Sequence, residues 1–187
     1  MDHVNKVYAL VGLPGSGKST VSEIFKQIGG SDVREVSLGD IVREKASEEG
    51  HTKSEEIRNF ATEMRKEHGK GIFAKYLVDE WNFTNPILVV DGIRSPEELT
   101  RISEATDIDL IVVYVKADFE TRYNRVIERK REGEGDFTED DLKERDKGEL
   151  KWGVREILLN EQYTTTINNN GSLEELSEDV LEIYQNY

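Results

Sequence analysis

A glycine-rich segment near the start of the chain constrains the fold more than any other feature. Residues 12–19 read Gly-Leu-Pro-Gly-Ser-Gly-Lys-Ser, which matches the pattern of a phosphate-binding P-loop. The apolar run Val7–Val11 precedes this loop, and a helical pattern through Val21 and Phe25 follows it. Glycines let backbone N–H groups turn toward phosphate oxygens, and a helix start adds the positive end of its dipole. The sequence therefore predicts a strand, a phosphate-binding loop and a helix, in that order.

The loop residues are the candidates for binding ATP and Mg²⁺. Lys18 is expected to reach the β- and γ-phosphates, and the Ser19 hydroxyl to ligate Mg²⁺. The other predicted nucleotide contacts are loop residues: Gly12, Leu13, Pro14, Gly15, Ser16, Gly17 and Thr20. No aspartate of the sequence has glycine three positions later, as a GTPase requires, and Val115 stands where a guanine-specificity motif has asparagine or threonine. ATP is therefore favoured over GTP.

Composition excludes several other classes of site. The chain has 187 residues and a formal net charge of -14, so it should repel nucleic acids and anionic membranes. It has no cysteine, which excludes disulfides, zinc ribbons and thiol catalysis. The three histidines show no ligand-like spacing. The sequence shows neither a signal peptide nor a membrane-spanning run, so a cytoplasmic location is expected.

Short apolar runs alternate with longer helical patterns along the chain, which is typical of a parallel sheet covered by helices. We predict one three-layer α/β domain over residues 1–187, with helices on both faces of a five-stranded parallel sheet. Two long charged helical stretches interrupt the alternation, at residues 41–80 and 126–160. Such insertions usually form lids or binding segments, so we expect an acceptor-binding insertion and a lid. The predicted strands are Val7–Val11, Val33–Val36, Ile87–Val90, Leu110–Val115 and Thr164–Ile167.

Helix starts are marked by capping residues. Ser95 precedes a proline and is followed three residues later by Glu98, which predicts a capping box. Thr138 and Ser172 begin similar segments. Helices are therefore expected from residues 96, 139 and 173.

Four further segments carry a resemblance to a known family. Residues 37–43 (Ser-Leu-Gly-Asp-Ile-Val-Arg) are similar to the acceptor segment of nucleoside monophosphate kinases and to the aspartate-containing helix start of dephospho-CoA kinases. Residues 89–95 (Val-Val-Asp-Gly-Ile-Arg-Ser) resemble the third strand of these kinases, and residues 145–153 and 168–172 complete the match. The chain thus resembles, over nearly its whole length, a largely archaeal, poorly characterised P-loop kinase family related to adenylate kinase and dephospho-CoA kinase.

The resemblance assigns roles around an acceptor. Asp40 would be a catalytic base or would position the acceptor, although an aspartate here can also serve only as a helix cap. Arg43 and Arg94 would bind an acceptor anion, or form ordinary salt bridges. Asp91 would orient the water shell of Mg²⁺ beside Ser19, or pair with Arg94.

The resemblance also points to arginines of the lid and to a base-binding turn. Kinase lids place arginines over the transferring phosphoryl group, and Arg129, Arg131 and Arg145 are the candidates here. Asn169 and Gly171 would lie against adenine, or form a plain turn. Trp152 is expected to be a core residue rather than a base-stacking one.

These assignments imply a kinase that transfers the γ-phosphoryl group of ATP to a small nucleotide-like acceptor, either a nucleoside monophosphate or dephospho-CoA. The alternative is an ATP-hydrolysing switch that acts on a protein or ribonucleoprotein partner. The sequence gives no indication of the oligomeric state.

Overall fold

A computed structural model describes residues 6–80, 84–106, 110–129 and 137–187. Within these residues the strands are β1 Lys6–Val11, β2 Val33–Ser37, β3 Ile87–Ile93, β4 Leu110–Lys116 and β5 Thr165–Asn168. The helices are α1 Lys18–Gly29, α2 Leu38–Glu48, α3 Ser54–His68, α4 Ile72–Asp79, α5 Pro96–Thr106, α6 Phe119–Arg129, α7 Glu139–Glu149, α8 Arg155–Leu159 and α9 Leu173–Asn186. A short 3-10 turn, Gly30–Asp32, leads into β2, and a π-helical turn, Leu150–Val154, joins α7 to α8.

The strands form one parallel sheet in the order β2-β3-β1-β4-β5, which confirms the predicted five-stranded parallel sheet. β1 is the central strand. The carboxyl ends of parallel strands meet at one edge of a sheet, where ligands bind in open α/β folds. The P-loop and Asn169, which follow β1 and β5, lie at this edge. Ser37, the last residue of β2, lies there too and is paired with Asp91 near the end of β3.

Side chains of β1 alternate between two apolar cores, and this alternation explains the layers. Val7, Ala9 and Val11 face a core that includes residues of α4, α5 and α8. Tyr8 and Leu10 face the other core, against α1 and α9. Helices therefore cover both faces, and the predicted three-layer α/β fold is confirmed.

The stretch at residues 41–80 forms the rest of α2 together with α3 and α4, and these helices share a third apolar cluster beside the main sheet. Val42 and Ala46 of α2 meet Phe60 of α3 and Phe73 of α4 there. In the stretch at 126–160 the structure describes the end of α6, then α7, the π-helical turn and α8. None of the helices seen in the described parts of the chain is long and apolar enough to cross a membrane.

The predicted helix starts are confirmed, with one correction. Thr138 and Ser172 each form a full capping box. Ser95 accepts a hydrogen bond from the backbone N–H of Glu98, as expected for a cap. The predicted return bond is different, because the Glu98 carboxylate accepts the N–H of Arg94 at 2.6 Å. The carboxylate also pairs with Arg65 of α3, and this buried partner decides its orientation.

Candidate active site

The P-loop has the backbone that its glycines predict. Gly15 and Gly17 lie at φ +80° and +97°, in the left-handed region that side chains disfavour. A Cβ atom on Gly17 would lie 2.2 Å from Nδ2 of Asn169, and one on Gly15 would lie 2.7 Å from the carbonyl oxygen of Arg122. Glycine is therefore required at both positions by conformation and by space.

Lys18 points back over the loop that precedes it. Its Nζ donates to the carbonyl oxygens of Gly12 at 2.8 Å and Leu13 at 3.3 Å. Burial lowers the pKa of Lys18, while the nearby carboxylates of Asp91 and Glu149 act in the opposite direction. The ammonium group thus lies where bound phosphates would favour its charged form.

Ser19 and Asp91 are in direct contact, although they are far apart in sequence. The Ser19 hydroxyl donates to Oδ2 of Asp91 at 3.1 Å. The other carboxylate oxygen, Oδ1, is buried and has no hydrogen-bond partner among the described residues. Mg²⁺ prefers hard oxygen ligands and is usually held by one or two protein groups together with phosphates and water. The unpaired oxygen beside a hydroxyl therefore fits Mg²⁺.

Asp91 does not form the alternative pair considered for it. Arg94 instead donates from Nε to Glu149 of α7 at 2.6 Å, and from Nη1 to the carbonyl oxygen of Gly92 at 3.1 Å. The Asp91 carboxylate is thus directed toward Ser19, and Arg94 links the end of β3 to α7.

Two arginines of α6 contact the phosphate-binding edge, and sequence reasoning did not select them. Arg122 forms a bidentate pair with Asp146, with N–O distances of 2.8 and 2.7 Å, and its Nη1 donates to the carbonyl oxygen of Pro14 at 3.0 Å. Arg125 donates to the carbonyl oxygen of Asn169 at 2.9 Å and to its Oδ1 at 3.2 Å. The available signal was their spacing of three residues on the helix that follows β4.

Asn169 supports the P-loop through a side-chain hydrogen bond. Its side chain is buried, and Nδ2 donates to the carbonyl oxygen of Ser16 at 2.8 Å. A Cβ atom on Gly171 would lie 1.9 Å from Oε2 of Glu175, the carboxylate that accepts the Ser172 N–H in the capping box of α9. The segment is therefore a tight turn that packs against the loop, and a contact of Asn169 and Gly171 with adenine stays a prediction.

The predicted lid arginines have different environments. Arg129 is the last residue of α6 and is exposed. Arg145 of α7 lies over the ring of Phe137, 4.3 Å from its centroid. Arg131 lies outside the described residues.

The predicted acceptor residues gather where β2 and β3 end side by side. Ser37 is paired in register with Asp91, and Gly92 packs against the backbone of Gly39. A Cβ atom on Gly92 would lie 3.4 Å from Nη1 of Arg94, and one on Gly39 would lie 3.5 Å from Nη1 of Arg43. Both guanidinium groups thus flank the same glycine–glycine contact.

Asp40 is exposed and forms an ion pair with Arg43. The interpretation of Asp40 as the helix cap is wrong, because the Ser37 hydroxyl accepts the backbone N–H of Asp40 and caps α2. The Asp40 carboxylate is therefore not needed to begin the helix.

Trp152 joins the two charged insertions. The guanidinium carbons of Arg65 and Arg94 lie 4.6 Å and 5.6 Å from the centroid of its indole ring. Its Nε1 donates to the hydroxyl of Thr62 in α3 at 3.2 Å. The side chain packs against the third apolar cluster but is only partly buried. Trp152 is thus at the margin of a core rather than inside one, as had been expected.

Comparison with known proteins agrees with this geometry. A family model described as an AAA domain matches residues 11–143. A UPF0200/UPF0201 protein of Archaeoglobus fulgidus is 35% identical over 182 residues; the match spans 95% of this chain and 54% of that protein, so this chain accounts for about half of its length. A UPF0200 protein of Methanosarcina mazei is 30% identical over 184 residues, which are 97% of this chain and 95% of that protein.

Two solved structures share the fold. A gluconokinase from Sinorhizobium meliloti superposes with a TM-score of 0.61 at 16% identity, over 99% of both chains. A shikimate kinase from Acinetobacter baumannii in complex with shikimate superposes with a TM-score of 0.56 at 17% identity, over 97% of this chain and 93% of that one. The fold is thus that of P-loop kinases. The expected similarity to a largely archaeal P-loop family is confirmed, and the chain belongs to the UPF0200 family, within the P-loop proteins that the AAA-domain model describes.

Proposed function

We propose that the protein is a phosphotransferase that moves the γ-phosphoryl group of ATP to a small nucleotide-like acceptor, a nucleoside monophosphate or dephospho-CoA. The observation that carries the proposal is the contact between Ser19 and Asp91 directly beside Lys18. A hydroxyl (Ser19), a carboxylate oxygen without a hydrogen-bond partner among the described residues (Asp91) and an ammonium group (Lys18) thus lie together beside the P-loop.

The nucleotide half of the site is assigned to the P-loop and its neighbours. Loop N–H groups and Lys18 would hold the phosphates. Ser19 and, through water, Asp91 would hold Mg²⁺, which when bound neutralises the charge of the phosphates. Arg122, fixed to the Pro14 carbonyl, is the described arginine best positioned to approach the transferring group.

The acceptor half is assigned to the ends of β2 and β3. Arg43 and Arg94 flank the contact of Gly39 with Gly92, and planar guanidinium groups match phosphate oxygens. Arg94 is also close enough to act on the charge of Lys18, so we assign it to the boundary between the acceptor half and the nucleotide phosphates. In transfer, an acceptor oxygen bonds to the γ-phosphorus, and the bond from this phosphorus to the β–γ bridging oxygen breaks. ADP leaves. Where the acceptor oxygen is a hydroxyl, as in dephospho-CoA, its proton passes to Asp40; where it is an ionised phosphate oxygen, as in a nucleoside monophosphate, no proton is transferred and Asp40 orients the acceptor. Positioning and charge neutralisation supply most of the rate.

The proposal is tested by measuring ADP release with a panel of nucleoside monophosphates and dephospho-CoA, and without acceptor. We expect one acceptor to stimulate ADP release. With that acceptor, Asp40→Asn should lower the rate by about 10²-fold if the carboxylate takes the proton, and by less if it only orients the acceptor. Affinity for MgATP should hardly change, since Asp40 is assigned to the other half of the site.

The matched control is Asp32→Asn. Asp32 is exposed in the turn before β2, at the opposite end of that strand from Asp40, so acceptor-dependent turnover should stay at the wild-type rate. If no acceptor stimulates the wild type and Asp40→Asn leaves slow hydrolysis unchanged, the protein is an ATPase switch and the kinase proposal is wrong.

A further inference from the structure

Helix α7 presents two carboxylates to the nucleotide site, and each is occupied by an arginine. Asp146 and Glu149 are three residues apart and therefore lie on the same face of the helix. The side chains of the Asp146–Arg122 pair are 13% and 6% exposed, and those of the Glu149–Arg94 pair are 14% and 18% exposed. Pairs this sheltered are weakly screened by salt, so their charges act strongly on their neighbours.

The two pairs tie α7 to both sides of the site. Arg122 also donates to the carbonyl oxygen of Pro14 in the P-loop, and Arg94 also donates to that of Gly92, directly after Asp91. Arg94, Arg122 and Glu149 are all close enough to act on the charge of Lys18. The positive charges of Lys18 and the two arginines are thus neutralised by three nearby carboxylates, those of Asp91, Asp146 and Glu149.

A bound polyphosphate disturbs this balance, because it adds several negative charges beside the same arginines. Phosphate oxygens are strong acceptors for guanidinium groups and compete with carboxylates for them. We infer that Asp146 and Glu149 are exchangeable counter-ions: they hold Arg122 and Arg94 in position before nucleotide binds, and they release these arginines to the phosphates when it does. Helix α7 is then held on the site in the empty protein and freed by the nucleotide.

This inference rests on the proposed binding of nucleotide at the P-loop, and linkage gives it a measurable consequence. If nucleotide binding breaks the two pairs, then breaking a pair beforehand must strengthen nucleotide binding. Asp146→Asn keeps the size of the side chain and removes its charge. We expect it to lower the Kd for MgADP by about tenfold, the order of magnitude for one charge beside a partly buried site. Glu149→Gln should act in the same direction.

The experiment is calorimetric titration of the full chain with MgADP. Glu144→Gln is the control, because Glu144 lies on the same helix but is exposed and pairs with Lys147. The Kd of this variant for MgADP should equal that of the wild type. An unchanged or raised Kd in folded Asp146→Asn overturns the inference. If that variant does not fold, Glu149→Gln decides by the same criterion.

A double-mutant cycle separates exchange from simple repulsion between carboxylate and phosphate. In an Arg122→Met background there is no guanidinium to release, so adding Asp146→Asn should give little of the tenfold gain. An equal gain in both backgrounds would show repulsion alone and would also overturn the inference. The calorimetric measurement uses no acceptor. If no acceptor stimulates ADP release, the kinase proposal is wrong and the counter-ion inference is unaffected. If the wild type does not bind MgADP, the kinase proposal and the counter-ion inference are both wrong.

Discussion

Lys18→Met should lower the rate of ATP turnover by about 10³-fold, because it removes the charge that stabilises the phosphoryl group in the transition state. The loss corresponds to about 4 kcal/mol of transition-state stabilisation. Methionine keeps most of the apolar stem of the half-buried side chain, so the free energy of unfolding should change little. Single-turnover rates at saturating MgATP, together with a denaturation curve, measure both quantities.

Lys26→Met is the matched control for this change. Lys26 lies about two turns further along α1 and donates to the carbonyl oxygen of Val33, away from the P-loop. Turnover of this variant should stay near that of the wild type. A folded Lys18→Met protein with wild-type turnover would show that the P-loop lysine takes no part in the reaction.

Glu98→Ala should lower the free energy of unfolding by about 3–5 kcal/mol, the usual cost of removing one partner from a buried ion pair. Glu98 is fully buried and accepts hydrogen bonds from the Arg94 N–H and from Arg65. Burial raises the pKa of Glu98 and lowers the pKa of Arg65, so each charge depends on the other for compensation. Without Glu98, the described contacts of the buried Arg65 guanidinium would be the Ala61 carbonyl and the rings of Phe73 and Trp152, with no directly paired carboxylate among the described residues.

The midpoint and slope of urea denaturation measure this change. Glu97→Ala is the control, because Glu97 is the exposed neighbour in the same first turn of α5 and should cost less than about 1 kcal/mol. Glu98→Gln keeps a side-chain oxygen that can accept a hydrogen bond and most of the side-chain volume. Its loss of unfolding free energy should therefore lie between those of Glu98→Ala and Glu97→Ala. A Glu98→Ala protein as stable as the Glu97→Ala control would show that the buried pair adds nothing to stability.

The sheet was predictable from sequence because its strands are covered on both faces. Helices cover both faces of β3, so its residues Ile87–Val90 form a continuous apolar run that ends at the polar Asp91. The predicted bounds of the strands differ from the observed ones by three residues at most, at the end of β3. The P-loop was equally visible, since its backbone can be built only with glycine at positions 15 and 17.

Side-chain partners at the site were less predictable, because they depend on contacts between distant segments. The spacing of Ser95 and Glu98 suggested a local capping box, but a buried arginine from α3 redirects the carboxylate. Several arginines precede and follow residue 130, and sequence alone does not show which of them face the P-loop. Arg122 does so because Asp146, 24 residues later, lies opposite it.

The position of Trp152 gives the protein an optical probe of its own state. The chain has two tryptophans, Trp81 and Trp152, so a Trp81→Phe protein would emit from Trp152 alone. Two cations at the indole shift its emission, and one of them, Arg94, is shared with α7 and the acceptor side of the site. Displacement of Arg94 by a ligand changes this environment, so fluorescence can follow occupancy in real time, without a label and before any acceptor is known.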